Sequence, residues 1–160
     1  MGHHRKCPGH AGLHKLLGGQ TKERIPAYCT GNDIEQHAEF GYKKIKLAIP
    51  YGPADGREGM KKNTELVKRT RQLLGPDGEI MLDCWMAFDE RYTVEFAEML
   101  EPYRVYWMEE CLPPDDYAGF GRLNAQIKST RHCHRVSTNT RAMDFGCCWN
   151  TRRPASGSLT

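Results

Sequence analysis

Glu79-Ile-Met-Leu-Asp83 and Arg104-Val-Tyr-Trp-Met-Glu109 are two short, strongly apolar runs, each ending on an acid, with a helix-patterned stretch between them. Runs of five or six residues with an apolar centre, bounded by turn signals, read as buried strands. Asp89 or Thr93 opens the intervening helix, which carries Val94, Phe96, Ala97, Met99 and Leu100. The same unit recurs upstream. Lys43-Lys-Ile-Lys-Leu-Ala-Ile49 is a strand stopped by Pro50, Gly52 and Pro53. A helix follows from about Arg57 to Leu74 with Met60, Leu66, Val67, Leu73 and Leu74, closed by the turn cluster Gly75-Pro76-Asp77-Gly78. Before it, Ile25-Pro-Ala-Tyr-Cys-Thr30 is a β-prone run, and Asp33 is placed to cap a helix with Ile34, His37, Ala38 and Phe40. After Glu109, Asp115 or Asp116 opens a helix running towards Ile127 with Leu123. Four strand–helix alternations predict an α/β fold with a parallel sheet, because parallel strands need crossover connections and become buried on both faces. A doubly wound sheet and a (β/α) barrel both fit this spacing, and no glycine-rich phosphate loop follows the first strand.

The chain has 160 residues, 39% hydrophobic and 27% charged, which is the composition of a globular protein. No run approaches the roughly 18 apolar residues of a membrane helix, and the N-terminus lacks an apolar signal core, so the expectation is a cytoplasmic protein without a membrane partner. Seven cysteines, an odd count without a signal peptide, argue against a secreted disulfide scaffold. The net charge of +3 hides an asymmetry: residues 1–24 and 129–160 are basic, and the middle is acidic. His3, His4, Cys7, His10 and His14 lie at one end, and His132, Cys133, His134, Cys147 and Cys148 at the other. The expected division is an atypical lead-in over 1–14, an α/β body over 15–130 and an atypical tail, disordered from the Pro/Gly/Ser-rich Pro154 onwards, over 131–160.

Chemistry concentrates at strand ends. Asp83 and Glu109 close neighbouring strands 26 residues apart in the sequence. Two carboxylates at the C-terminal ends of adjacent parallel strands share one mouth and repel unless a cation joins them. Oxygen ligands of this kind suit Mg²⁺ better than Zn²⁺. Each acid also reads as a cap of the segment that follows, and spacing alone leaves both readings open. Glu110 reads as a neighbour of the pair and not as a second ligand. Lys44 and Lys46 share a strand face, so they are either base or electrophile candidates at the mouth or plain solvated lysines. Cys84 and Cys111 read as small buried hydrophobes.

Leu16-Leu-Gly-Gly19, Ile25-Pro-Ala-Tyr-Cys-Thr-Gly31, Lys43-Lys-Ile-Lys-Leu-Ala-Ile-Pro-Tyr-Gly-Pro53, Met81-Leu-Asp-Cys-Trp-Met86 and Tyr106-Trp-Met-Glu-Glu-Cys-Leu-Pro-Pro-Asp-Asp-Tyr117 together resemble the acid-sugar dehydratases of the enolase superfamily, in the L-rhamnonate dehydratase branch. The resemblance covers about residues 15–130 and implies part of a (β/α) barrel, some four β/α units. It implies one Mg²⁺ held by three carboxylates, which stabilises the enediolate formed when a base removes the α-proton of an acid sugar; loss of the 3-hydroxyl then gives a 2-keto-3-deoxy acid. Residue by residue, Asp83 and Glu109 match the first two metal ligands. Lys46 matches the first lysine of the superfamily's Lys-x-Lys strand motif, and Ala48 stands where the second would be.

The resemblance fails at the ends. Where the family has Gly-Glu-His-Glu-Tyr-Thr-Arg-Tyr-Gly-Phe, this chain has His132-Cys-His-Arg-Val-Ser-Thr-Asn139, so the third ligand and the base are not found. Codons for 137–150 can be chosen so that a one-base shift restores the Glu-His-Glu-Tyr stretch, and codons for 1–13 so that a shift yields the family's lead-in. The expectation is that both ends are translated out of frame and that the chain as written is an inactive piece of a dehydratase. The alternatives are a non-catalytic half-barrel, self-associating through exposed barrel edges, and a small protein that binds zinc or nucleic acid through its basic Cys/His-rich ends. The ends lack paired Cys-x-x-Cys and His-x-x-x-His spacing, so no nucleic-acid partner is expected.

Overall fold

The structure, a computed structural model, describes residues 18–19, 22–127 and 133–134. The Cys/His-rich lead-in and nearly all of the tail lie outside the described residues. Five strands form one sheet in chain order, β1 (Cys29–Thr30), β2 (Lys44–Ala48), β3 (Glu79–Asp83), β4 (Trp107–Glu109) and β5 (Cys133–His134), and every neighbouring pair is parallel. The crossovers are α1 (Ile34–Glu39), α2 (Gly56–Leu74), α3 (Glu90–Leu100) and α4 (Tyr117–Gln126). This is the α/β parallel-sheet arrangement that the alternation predicted, in the strand order of the (β/α) barrel that the resemblance implied. β5 falls in the segment assigned to the tail, and the sequence pattern did not reveal it, since a two-residue strand carries no periodicity.

Strand alternation separates two faces. Ile45 and Leu47 of β2, Ile80 and Leu82 of β3 and Met108 of β4 are fully buried and pack with Val67 of α2, Phe96 and Leu100 of α3 and Leu123 of α4 in one core. Each such side chain, fully buried, contributes about 1.5–3 kcal/mol. The opposite face carries Lys46, Met81, Asp83, Trp107 and Glu109, and these positions hold the chemistry.

Two expected strands are shorter than their sequence runs. Only Cys29–Thr30 of the Ile25–Thr30 run pairs, opposite Ile45 and Lys46; Pro26 has no N–H to give to a ladder, and Ile25 stays exposed. β4 begins at Trp107 and not at Arg104, because Arg104 adopts a left-handed conformation (φ 48°) closing a 3₁₀ turn over Glu101–Tyr103. Arg71 of α2 fixes that turn: its guanidinium donates to the carbonyls of Tyr103 (2.9 Å), Arg104 (3.2 Å), Gly75 (2.9 Å) and Gly78 (2.6 Å). One side chain thus ties the loops that enter β3 and β4. Its burial lowers the guanidinium below the ordinary arginine value, with Arg104 adding to the effect.

The helix starts follow the capping expectations in two of three cases. Asp89 Oδ1 accepts from Tyr92 N–H at 2.7 Å and Asp116 Oδ1 from Gly119 N–H at 2.8 Å, whereas Asp33 precedes α1 without a side-chain cap bond. Asp89→Ala is expected to lower unfolding free energy by about 1 kcal/mol. Asp89→Asn should cost less, and thermal denaturation of the two variants checks the pair.

Candidate metal centre

The register places the two acids side by side. Asp83 and Glu109 are Cα partners across β3 and β4, and Ala48 is the partner of Asp83 on β2. Their carboxylates converge on one cation, the Lys46 ammonium: Nζ lies 2.5 Å from Glu109 Oε1 and 3.1 Å from Asp83 Oδ2. The side chains of Lys46 and Asp83 are each 13% exposed and that of Glu109 5%. Burial works against the charge of Lys46, yet hydrogen bonds to Glu109 and Asp83, and their charges, outweigh it and raise the ammonium above the ordinary lysine value. Lys46 thus stands as the positive charge between the two carboxylates.

Backbone geometry stabilises the arrangement. Trp85, Met86 and Glu110 all adopt left-handed φ (55°, 58° and 53°) just past the strand ends, a conformation that costs a non-glycine residue of order 1–3 kcal/mol and concentrates at functional sites. The turn lets Trp85 N–H donate to Asp83 Oδ1 at 3.3 Å and Met86 N–H to the Glu110 carbonyl at 2.6 Å, joining the two strand exits. Asn32 does the same one strand earlier, its amide accepting from Ala48 N–H (3.0 Å) and donating to the Ala48 carbonyl (2.8 Å).

Further aromatic residues complete the surroundings. Trp107 Nε1 donates to Glu109 Oε2 at 3.0 Å, which orients the second carboxylate. The Tyr28 ring lies 5.9 Å from Lys46 Nζ and meets Trp107 edge to face at 5.8 Å. Sequence reading missed all three of these partners, Trp107, Tyr28 and Asn32. The spacing of Trp107 and Glu109, two apart on one strand face, was the available signal; Tyr28 and Asn32 come close only through strand pairing.

Lys44 is not part of the site. It pairs with Glu79 (2.8 Å) at the opposite end of β2 and β3, half exposed, as a solvated lysine would. Glu110 is nearly buried beside the pair; burial pushes its carboxyl above the ordinary value, and the charges of Asp83 and Glu109 add to this while Lys46 opposes it. Cys84 and Cys111 are buried with their sulfurs 3.8 Å apart, small core residues as expected. Among the described residues no group of three His, Cys, Asp or Glu side chains converges as a metal cluster, and none of the helices is long and apolar enough to cross a membrane.

A parallel sheet in chain order with crossover helices, and charged side chains gathered at the C-terminal strand ends, is the arrangement of (β/α)-barrel domains. A family model described as "Enolase C-terminal domain-like" matches residues 31–149, and this chain belongs to that family. L-rhamnonate dehydratase of Saccharopolyspora erythraea is 37% identical over 118 residues, covering 74% of this chain and 30% of that protein. The solved L-rhamnonate dehydratase from Gibberella zeae superposes with TM-score 0.76 at 34% identity, covering 84% of this chain and 34% of its own. The rhamnonate dehydratase structure from the same organism complexed with Mg gives 0.79 at 33% identity, covering 87% and 34%. The chain therefore spans about a third of the length of these relatives.

Proposed function

We propose that this chain carries the first part of the metal centre of an acid-sugar dehydratase, with L-rhamnonate or a close analogue as substrate and Mg²⁺ as cofactor. The observation that carries the reading is the convergence of Asp83 and Glu109 on a single cation at the C-terminal ends of β3 and β4. Similarity to L-rhamnonate dehydratases supports the substrate class, and the relative complexed with Mg supports the metal. The donors fit: two hard carboxylates in a nearly buried site already gather one positive charge, and oxygen ligands are what Mg²⁺ takes. Asp83 and Glu109 would hold the ion. Bound there, it supplies Lewis-acid stabilisation of the negative charge that grows on the substrate carboxylate as the α-proton leaves.

The chain's own residues then have separate tasks. Trp107 fixes Glu109, the Trp85 amide fixes Asp83, and Lys46 contributes a second positive charge on the same face. Ala48, in register with Asp83, offers no proton acceptor. Converting an acid sugar to its 2-keto-3-deoxy acid and water also needs a base for the α-proton and an acid for the leaving 3-hydroxyl, and we assign neither to a described residue. The chain as written is accordingly expected to bind Mg²⁺ weakly and to form no keto product from L-rhamnonate; product formed by pure protein refutes that.

The metal reading is tested apart from turnover. A ligand that binds only the folded state raises its stability by RT ln(1 + [L]/Kd), so millimolar Mg²⁺ is expected to raise the thermal midpoint of the chain. Asp83→Asn and Glu109→Gln should each abolish the rise. An equal rise in the variants would place the ion elsewhere.

A further inference from the structure

Strand alternation and one left-handed residue bring two thiols together behind the charged mouth. Asp83 and Glu109 are register partners on the mouth side, so regular alternation would turn Cys84 and Glu110 to the helix side. Cys84 does turn that way and lies in the core cluster that holds Phe88 and Leu112. Glu110 does not. Its φ of 53° keeps its carboxyl close to the charges of Asp83, Glu109 and Lys46, and the helix side falls to Cys111. The Cys111 thiol donates to Cys84 Sγ at 3.8 Å, and both residues are at most 1% exposed. Neither is in a disulfide.

The backbones of the two cysteines are pinned as well. Cys84 N–H donates to the Glu109 carbonyl at 2.9 Å, Ala87 N–H to the Cys84 carbonyl at 3.1 Å and Phe88 N–H to the Cys111 carbonyl at 3.0 Å. Two reactive groups held in contact react as if at very high concentration. A disulfide brings its sulfurs to about 2.05 Å, which leaves a short approach for side-chain rotation to make. Cys29, the other thiol among the described residues, sits on β1 with β2 between it and β3.

We propose that Cys84 and Cys111 are a redox-modification site, a pair that closes reversibly to a disulfide and locks the exits of β3 and β4 to each other. A small peroxide is the oxidant. One sulfur, as thiolate, attacks the O–O bond and becomes a sulfenic acid as the first water leaves; the second sulfur then displaces the sulfenic hydroxyl, forming the S–S bond and releasing the second water. Two electrons and two protons pass from the thiol pair to the peroxide, and a dithiol reductant returns them. The bond joins residues 27 apart and encloses α3. Closing that loop removes freedom from the unfolded chain, so the oxidised protein is the more stable form. The inference uses neither the metal nor the substrate.

The full chain, first reduced, is treated with hydrogen peroxide in native buffer, alkylated at its remaining thiols and mapped by mass spectrometry after trypsin digestion without reduction. Arg91 and Arg104 lie between the two cysteines, so trypsin separates them unless a bond joins them. One cross-linked species is expected, two hydrogens lighter than its two peptides together and split by dithiothreitol. The urea midpoint of the oxidised parent is expected to exceed that of the reduced parent, and the difference to vanish in Cys84→Ala and in Cys111→Ala. Each variant is compared only with its own reduced form, so a loss of packing in the variant does not enter. Recovery of both cysteines as alkylated thiols after native oxidation overturns the proposal, as does a cross-link that forms only in urea. The chain has seven cysteines, and a midpoint rise that survives in both variants belongs to another pair. A Cys84–Cys111 bond without a higher midpoint removes the lock.

Discussion

Phe96→Ala is expected to lower the unfolding free energy by about 3–5 kcal/mol, the range for removing a large aromatic from a closed core. Phe96 is completely buried on the inner side of α3, where it is the largest side chain so enclosed. Its ring meets Phe88 edge to face at 6.0 Å and Tyr92 at 6.2 Å, and Phe88 and Tyr92 are themselves in contact at 4.7 Å. The triplet sits where α3 joins the loop that leaves β3. Alanine there loses the transfer energy of the ring and leaves a void that strands on one side and helices on the other cannot readily close. A domain of this size has about 5–15 kcal/mol in total, so the variant should unfold at markedly lower urea concentration. A loss below about 1 kcal/mol would show that the core rearranges to fill the space. Phe96→Leu, which keeps most of the volume, should retain most of the stability.

Lys46→Met is expected to cost a comparable amount, about 3–5 kcal/mol, because it removes one partner of a nearly buried ionic cluster and leaves the others unneutralised. Methionine matches the lysine stem in length, so the loss reports mainly on the charge, including its place over the Tyr28 ring. Without the ammonium, Asp83 and Glu109 face each other across β3 and β4 with Glu110 close by. Millimolar Mg²⁺ should therefore recover more stability in Lys46→Met than in the parent, since the carboxylates no longer have a competing cation. Equal recovery would mean that the ion binds elsewhere. Denaturant titrations of both proteins, with and without Mg²⁺, give the four numbers required.

Much of this architecture was legible in the residues. The apolar runs at 43–49, 79–83 and 104–109 marked strands because both faces of a parallel sheet are covered or crowded, and the helix at 56–74 showed itself through Met60, Val67 and Leu74 on one side. Asp89 and Asp116 announced helix starts through their side-chain acceptors. Asp83 and Glu109 stood out as acids closing neighbouring strands, though spacing alone left a cap and a ligand equally legible. The limits of β1 and β4 were not legible, since pairing depends on what lies alongside: Arg71, 33 residues before Arg104 in the chain, holds the turn that delays β4. β5 was invisible because two residues carry no periodicity.

The site divides along the same line. Sequence by itself determined the class of the fold and which two carboxylates stand one β/α unit apart, because periodicity and strand-end position are properties of neighbouring residues; the family followed from the resemblance its motifs carry. Only the tertiary structure decided that Lys46 and not Lys44 joins them, and that Trp107 and Tyr28 frame the cluster. Those relations depend on the register between strands, which is set by the packing of helices against the whole sheet and leaves no local mark in the chain.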